Sequence, residues 1–76
     1  MPTLKKISGK DCLKILCNKF GFKAVRQRGS HVVLRKDTPK GTVGTVVPLH
    51  KELKKPTLRN ILKLASVDEE EFAGYQ

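Results

Sequence analysis

Two histidines, His31 and His50, are the side chains of this sequence best suited to proton transfer near neutral pH. His31 directly follows Gly29 and Ser30, and three arginines lie within five residues of it: Arg26, Arg28 and Arg35. A histidine beside cations suits RNA cleavage, because RNA carries its own 2′-hydroxyl nucleophile and needs proton transfer and charge stabilisation at the phosphate. An exposed strand histidine is more often an ordinary surface residue, and the residue types alone favour that interpretation of His31.

Other catalytic arrangements find no support in the sequence. Neither histidine has metal-ligand spacing on a helix or accompanies a Ser or Cys nucleophile with an orienting acid. Cys12 and Cys17 are five residues apart, which fits neither a CxxC motif nor the i, i+4 spacing of two ligands on one helix face. We therefore predict no metal site, no cofactor and no disulfide, and two free thiols fit the reducing cytoplasm.

The chain is short and basic, with 76 residues, 16 Lys or Arg, 7 Asp or Glu and a net charge of +9. This length predicts one domain over residues 1–76 and excludes Rossmann cofactor domains and multi-domain enzymes. All 16 basic residues precede position 64, whereas four of the acids follow it. Such a basic body favours a polyanion, RNA first, or an acidic protein partner, with an ordinary solvated surface as the alternative. No apolar run suggests a membrane span or a signal peptide, so we predict a cytoplasmic protein.

Helical periodicity appears at both ends of the chain. Ser8 can cap a first helix that ends at Gly21, and its apolar residues recur at helical spacing: Leu13, Leu16, Cys17 and Phe20. A second helix starts with Pro56 in its first turn or with Thr57 as its cap, and repeats the spacing at Leu58, Ile61, Leu62 and Ala65. Asp68 and Glu71 predict a third, short helix over 69–75.

Between the main helices the period changes to two, which predicts strands over 22–28, 31–36 and 42–48. The order predicts an α+β fold in which both helices cover one face of a three-stranded antiparallel sheet. Alternation assigns Val32 and Leu34 to the core and places His31 and Arg35 on the open face. Arg26 and Arg28 are two residues apart and therefore share one face of the first strand, so positive charge can gather around His31.

A row of cations runs into and along the second helix: Lys51, Lys54, Lys55, Arg59 and Lys63. It could follow an RNA backbone, or it could be the solvated face of an amphipathic helix, and the sequence does not separate the two. Phe20 and Phe72 fit core positions, and only Phe22 or Tyr75 could be accessible for stacking, so we predict weak base selectivity. The acids at 68–71 fit a first helical turn.

Residues 21–31, Gly-Phe-Lys-Ala-Val-Arg-Gln-Arg-Gly-Ser-His, resemble the signature of the HicA toxin family. The segment from Val46 to Leu62 is similar to the family's second block. The resemblance implies a double-stranded-RNA-binding-domain-like fold, a ribonuclease that cleaves messenger RNA, and neutralisation by a HicB-type antitoxin. It also implies that His31 is the catalytic residue. In that setting we expect Gly29 to permit a tight turn close to a phosphate and Ser30 to donate a hydrogen bond to it, and Arg28 is the residue most expected to contact a phosphate.

Two departures from the family pattern matter. Many members carry a second histidine directly after the first, where this chain has Val32, and a glycine where it has Pro56. His31 must therefore act alone or with His50. For His50, a strand-end role in which its side chain is hydrogen-bonded to the loop or contacts a phosphate is favoured over acid catalysis.

The leading hypothesis is a metal-independent toxin endoribonuclease that is monomeric when free. A non-catalytic RNA-binding module of the same fold is the alternative, and a domain that only binds an acidic protein is the third hypothesis.

Overall fold

The computed structural model describes residues 3–76 of the chain. Its elements are helix α1 (Gly9–Lys19), strands β1 (Lys23–Arg28), β2 (His31–Thr38) and β3 (Gly41–Pro48), helix α2 (Lys55–Leu64) and the short helix α3 (Glu69–Ala73). The predicted α+β class and element order are confirmed. Within residues 3–76, no helix combines the length and the apolar character that a membrane span requires.

Helix α1 begins where the sequence predicts, because the hydroxyl of Ser8 accepts a hydrogen bond from the amide of Asp11 at 3.1 Å. The predicted apolar face is only partly right. Leu16 is fully buried, but the other buried residues of α1 are Gly9 and Cys12. The remaining predicted core residues, Leu13, Cys17 and Phe20, are half-buried. The most buried face of the helix therefore includes the small residues Gly9 and Cys12 beside Leu16, and the half-buried residues pack against the same core.

The three strands form an antiparallel sheet in the order β1-β2-β3. β2 continues to Thr38 and β3 starts at Gly41, so their ladder is longer than predicted. The register pairs Val32 with Val47 and Leu34 with Thr45, and these four side chains are buried. Val32 and Leu34 thus occupy the predicted core face.

One hydrophobic core lies between this sheet face and the helices, with Leu58 and Leu62 of α2 fully buried in it. The hydroxyl of Thr45 donates a hydrogen bond of 2.8 Å to the carbonyl oxygen of Ile61, which ties β3 to α2. Of the two aromatic residues predicted to be accessible for base stacking, Tyr75 is 50% exposed but Phe22 is only 3% exposed, so the prediction is wrong for Phe22. Its amide donates a hydrogen bond of 3.1 Å to the carbonyl oxygen of Leu16 in α1, and both side chains belong to the buried cluster.

Helix α2 starts one residue before Pro56, which confirms the first of the two predicted starts. Ser66 adopts a φ of 56° at the turn that follows, and the chain reverses into α3. The carboxylate of Asp68 accepts a hydrogen bond from the amide of Glu71 at 3.1 Å, as its capping position predicts. α3 ends at Ala73, two residues earlier than predicted.

Candidate functional site

The open face of the sheet carries His31 among cations. Across the β1–β2 ladder Arg28 lies opposite His31, and across the β2–β3 ladder Pro48 lies opposite it. Side chains of directly opposed residues share a face of an antiparallel pair. The next pair along this face is Arg26 with Val33, so the predicted grouping of Arg26 and Arg28 beside His31 holds in the structure. All three side chains are exposed.

A bulge at Val25 adds a cation that alternation alone did not predict. The register shifts between Ala24 and Arg26, and Lys23 consequently lies opposite Arg35. One extra residue in a strand moves the side chains on its far side to the opposite face of the sheet. Lys23 therefore lies on the open face with Arg35, although strict alternation from Arg26 and Arg28 would place it on the core face. The run of exposed cations on this face therefore consists of Lys23, Arg26, Arg28 and Arg35.

Gly29 and Ser30 form the two-residue turn that presents His31 at the start of β2. Gly29 has a φ of +57°, a backbone conformation that residues other than Gly, Asn and Asp rarely adopt. A Cβ on Gly29 would meet no atom within 4 Å, so the glycine answers a backbone requirement and the space in front of it is open. The side-chain amide of Gln27 donates a hydrogen bond of 2.9 Å to the Gly29 carbonyl oxygen and braces the turn.

The chain segment after β3 is held between this turn and the start of α1. The amide of Leu49 donates a hydrogen bond of 2.6 Å to the carbonyl oxygen of Ser30, and the amide of Gly9 donates one of 2.9 Å to that of His50. A bridge between Ile7 and Leu53 extends the same contact. No sequence pattern indicates these bonds, and only a small residue at the start of a helix hints at close approach.

The rings of His31 and His50 lie close together where the segment after β3 contacts the Gly29-Ser30 turn. Their ring centroids are 6.4 Å apart and their planes cross at 76°. Both residues are exposed. The conditional prediction that His50 lies near His31 if the strands pair in sequence order is thus met by the structure.

The other predicted RNA contacts lie on α2. Lys54, Lys55 and Arg59 are all exposed, as are Lys51 and Lys63. Lys54 caps the helix without a side-chain hydrogen bond. The Nε of Arg59 lies 2.9 Å from Oε1 of Glu69, which directs this side chain toward α3. Lys54 and Lys55 follow His50 by four and five residues, so they are closer to it along the chain than Arg59 is.

The cysteines are unsuited to nucleophilic chemistry. Burial raises the pKa of the Cys12 thiol from 9.0 to about 12, and burial also raises the pKa of Cys17. Across residues 3–76, no group of three or more His, Cys, Asp or Glu side chains could hold a metal ion.

Fold and site define a small α+β domain with two histidines at one end of an open sheet whose edge strand β1 is basic. The family model described as the HicA toxin of bacterial toxin-antitoxin systems matches residues 9–67, and the chain belongs to that family. The match runs from the first residue of α1 to the residue before the α3 cap and includes both histidines. Comparison with curated proteins and with solved structures finds no match. The chain is thus a toxin of the HicA type.

Proposed function

We propose that this HicA-type toxin is an endoribonuclease that cleaves messenger RNA in the cytoplasm, with His31 as the catalytic residue. The observation that carries the proposal is the exposed imidazole of His31 directly opposite Arg28, one residue after an open Gly-Ser turn. An imidazole moves the proton, and a guanidinium stabilises the charge that develops on the phosphate. The RNA contributes the 2′-hydroxyl nucleophile, so the protein need supply neither a nucleophile nor a metal-bound water.

The cations around His31 have distinct proposed roles. Arg28 holds the scissile phosphate, since guanidinium presents paired donors that match phosphate oxygens. The hydroxyl of Ser30 donates a further hydrogen bond, and the left-handed turn at Gly29 lets the backbone approach the phosphate. Arg26 and Arg35 contact neighbouring phosphates along the open face. Lys54, Lys55 and Arg59 extend the contact onto α2.

A HicB-type antitoxin is the proposed protein partner, and it neutralises the toxin by covering the face around His31. Two features of β1 support this proposal. All six of its residues are exposed, and Lys23, Arg26 and Arg28 give it a positive charge that an acidic surface complements. Adding the antitoxin to a cleavage reaction should therefore suppress it.

Cleavage of a messenger RNA by the purified toxin in excess chelator tests the proposal. His31→Ala should lower the cleavage rate by about 10²–10⁴-fold, the usual contribution of a proton-transfer group. Lys40→Ala is the control, because Lys40 lies in the turn at the opposite end of β2. Both variants should still shift RNA in a gel, with affinity that falls as salt rises.

Equal rates for the wild type and His31→Ala would remove His31 from the mechanism. If the wild type shifts RNA in a gel but yields no fragments, the chain is instead a non-catalytic RNA-binding module. The exposed cations of β1 and α2 are compatible with that alternative.

A further inference from the structure

His50 stands beside His31 without a structural task for its side chain. Its backbone carbonyl oxygen accepts the hydrogen bond from Gly9, so the structural role belongs to the backbone. Within residues 3–76, no hydrogen bond involves the His50 imidazole, which is exposed and faces the His31 ring at 6.4 Å. The predicted hydrogen bond from the His50 side chain to the loop is therefore absent from the described residues, and the predicted phosphate contact and acid catalysis are the two roles left for this imidazole.

We propose that His50 and His31 form an acid–base pair that acts on one scissile phosphate, one ring accepting a proton while the other donates one. This inference rests on the proposed ribonuclease function and deepens it. It assigns the second proton-transfer group that a single histidine cannot supply in the same step.

The chemistry requires two groups on opposite sides of the phosphorus. The base accepts the proton of the 2′-hydroxyl as the 2′-oxygen forms its bond to phosphorus. The bond from phosphorus to the 5′-oxygen breaks, and the acid gives its proton to that oxygen. The products are a 2′,3′-cyclic phosphate and a 5′-hydroxyl, and the two histidines end in exchanged protonation states.

The separation of the rings suits this task. Each proton-transfer group must lie within hydrogen-bond reach of its oxygen, about 2.6–3.2 Å between heavy atoms. Two such bonds with a phosphate between them need rings that are apart rather than stacked, as the 6.4 Å separation and the 76° crossing provide. Arg28 lies opposite His31 in the β1–β2 ladder and places a cation beside this ring, on the side away from β3.

Backbone contacts hold the two histidine residues next to each other. His31 is paired with Pro48 across β2–β3, and the Leu49 amide is bonded to the Ser30 carbonyl oxygen. His50 is then fixed by the Gly9 amide at the start of α1. Three separate backbone contacts thus fix the backbone positions from which the two side chains extend, and none of them depends on either imidazole. Such preorganisation by rigid elements is what acid–base catalysis needs.

The test compares two substrates. One is an ordinary RNA with a single cleavable linkage, and the other carries sulfur in place of the bridging 5′-oxygen at that linkage. A thiolate leaves without a proton, so the sulfur substrate removes the need for the acid but not for the base. On the ordinary RNA, His31→Ala and His50→Ala should each lower the rate by about 10²–10⁴-fold. On the sulfur substrate, one of the two variants, and only one, should approach the wild-type rate.

Two checks accompany the comparison. His50→Gln keeps a polar side chain of similar size but cannot transfer a proton, and it should be as slow as His50→Ala on the ordinary RNA. Glu52→Gln, an exposed residue of the same segment, should cleave at a rate near that of the wild type. Thermal unfolding of every variant verifies the fold, and none of the substitutions removes the backbone groups of the Gly9–His50 bond.

The outcomes separate the two proposals. If His50→Ala cleaves ordinary RNA as fast as the wild type, the pair is refuted while the ribonuclease function stands. The pair is also refuted if both variants are slow and the sulfur substrate rescues neither of them, or both. A wild type that cleaves neither substrate overturns the ribonuclease function and the pair together.

Discussion

Arg59 is the proposed RNA contact whose surroundings in the structure compete with that role. Its guanidinium lies 2.9 Å from Glu69, and the two side chains are 59% and 50% exposed. Exposed ion pairs of this kind contribute about 0–1 kcal/mol to stability, so Glu69 competes with a phosphate for Arg59 without excluding it. The acidic start of α3 therefore limits how readily Arg59 meets RNA.

We predict that Glu69→Gln strengthens RNA binding, because it frees Arg59 for a phosphate. The slope of log affinity against log salt concentration should steepen by about 0.7 for one added phosphate contact on a single strand. Titrations of labelled RNA at several salt concentrations measure it. Glu70→Gln is the matched control, since it makes the same charge change at an exposed neighbour of the ion pair. Identical slopes for the two variants would show that net charge alone is responsible.

Individual side chains also show where prediction from sequence stops. The parity of β2 was enough to place His31, Val32 and Leu34 on the correct faces, because alternation is a local property of a strand. The burial of Phe22 has no local signal in the sequence, because it depends on the contact of this residue with Leu16 of α1. The Arg59–Glu69 pair spans two helices joined by a turn with a positive φ at Ser66, and no sequence pattern encodes that angle.

Among the helices and strands, the contact between α1 and the segment after β3 positions the histidine pair. A Cβ on Gly9 would overlap the carbonyl oxygen of Pro48 and lie 2.9 Å from the Cα of Leu49. The first turn of α1 can therefore approach this segment only as glycine. This approach allows the Gly9 amide to reach His50.

Gly9→Ala is expected to destabilise the protein by about 1–3 kcal/mol, the usual cost of adding atoms to a packed contact. In an open helix the same change would stabilise by up to about 1 kcal/mol, so the sign is diagnostic. Because residues 48–50 must shift, cleavage should fall more than RNA affinity. Urea unfolding, cleavage rates and gel shifts measure these effects. Lys10→Ala, at an exposed position in the same turn, should change stability and cleavage little.

The boundaries of the elements were predicted to within about two residues where a local signal exists. Ser8 and Asp68 mark helix starts through their side-chain hydrogen bonds and Pro56 through its fixed φ, and the predicted strand ends differ from the observed ones by at most two residues. The facing of α1 was only partly predicted, because Gly9 and Cys12 carry little hydrophobic signal and are buried for reasons of close packing. The bulge at Val25 has no sequence signal either, and for that reason Lys23 was missing from the predicted open face.

The core of the molecule as a whole encloses a titratable group. Cys12 is fully buried within the hydrophobic cluster, and burial raises the pKa of its thiol to about 12. In the unfolded chain the thiol loses its proton from about pH 9, whereas in the folded protein it keeps the proton until about pH 12. The stabilising contribution of the neutral thiol is therefore complete below pH 9 and is lost as the pH rises toward 12.

Urea unfolding between about pH 8 and pH 11 should show this loss. Above about pH 9 the free energy of unfolding of the wild type should fall more steeply than that of Cys12→Ala, by up to about 1.4 kcal/mol per pH unit for one proton. Cys17→Ala, at the half-buried thiol, should change the slope less. Parallel pH dependences for the wild type and Cys12→Ala would show that the thiol does not control alkaline stability.

The exposed strand β1 also affects the behaviour of the free toxin at high concentration. An uncovered edge strand is a template on which the same edge of another copy can add, and this is a common route to aggregation. Here the bulge at Val25 interrupts the regular edge, and Lys23, Arg26 and Arg28 would bring like charges together if two copies paired. The cations proposed to hold RNA therefore also oppose self-association. Variants that neutralise β1 to abolish RNA binding need a light-scattering measurement beside the activity assay, because lost repulsion and lost RNA contact would both lower activity.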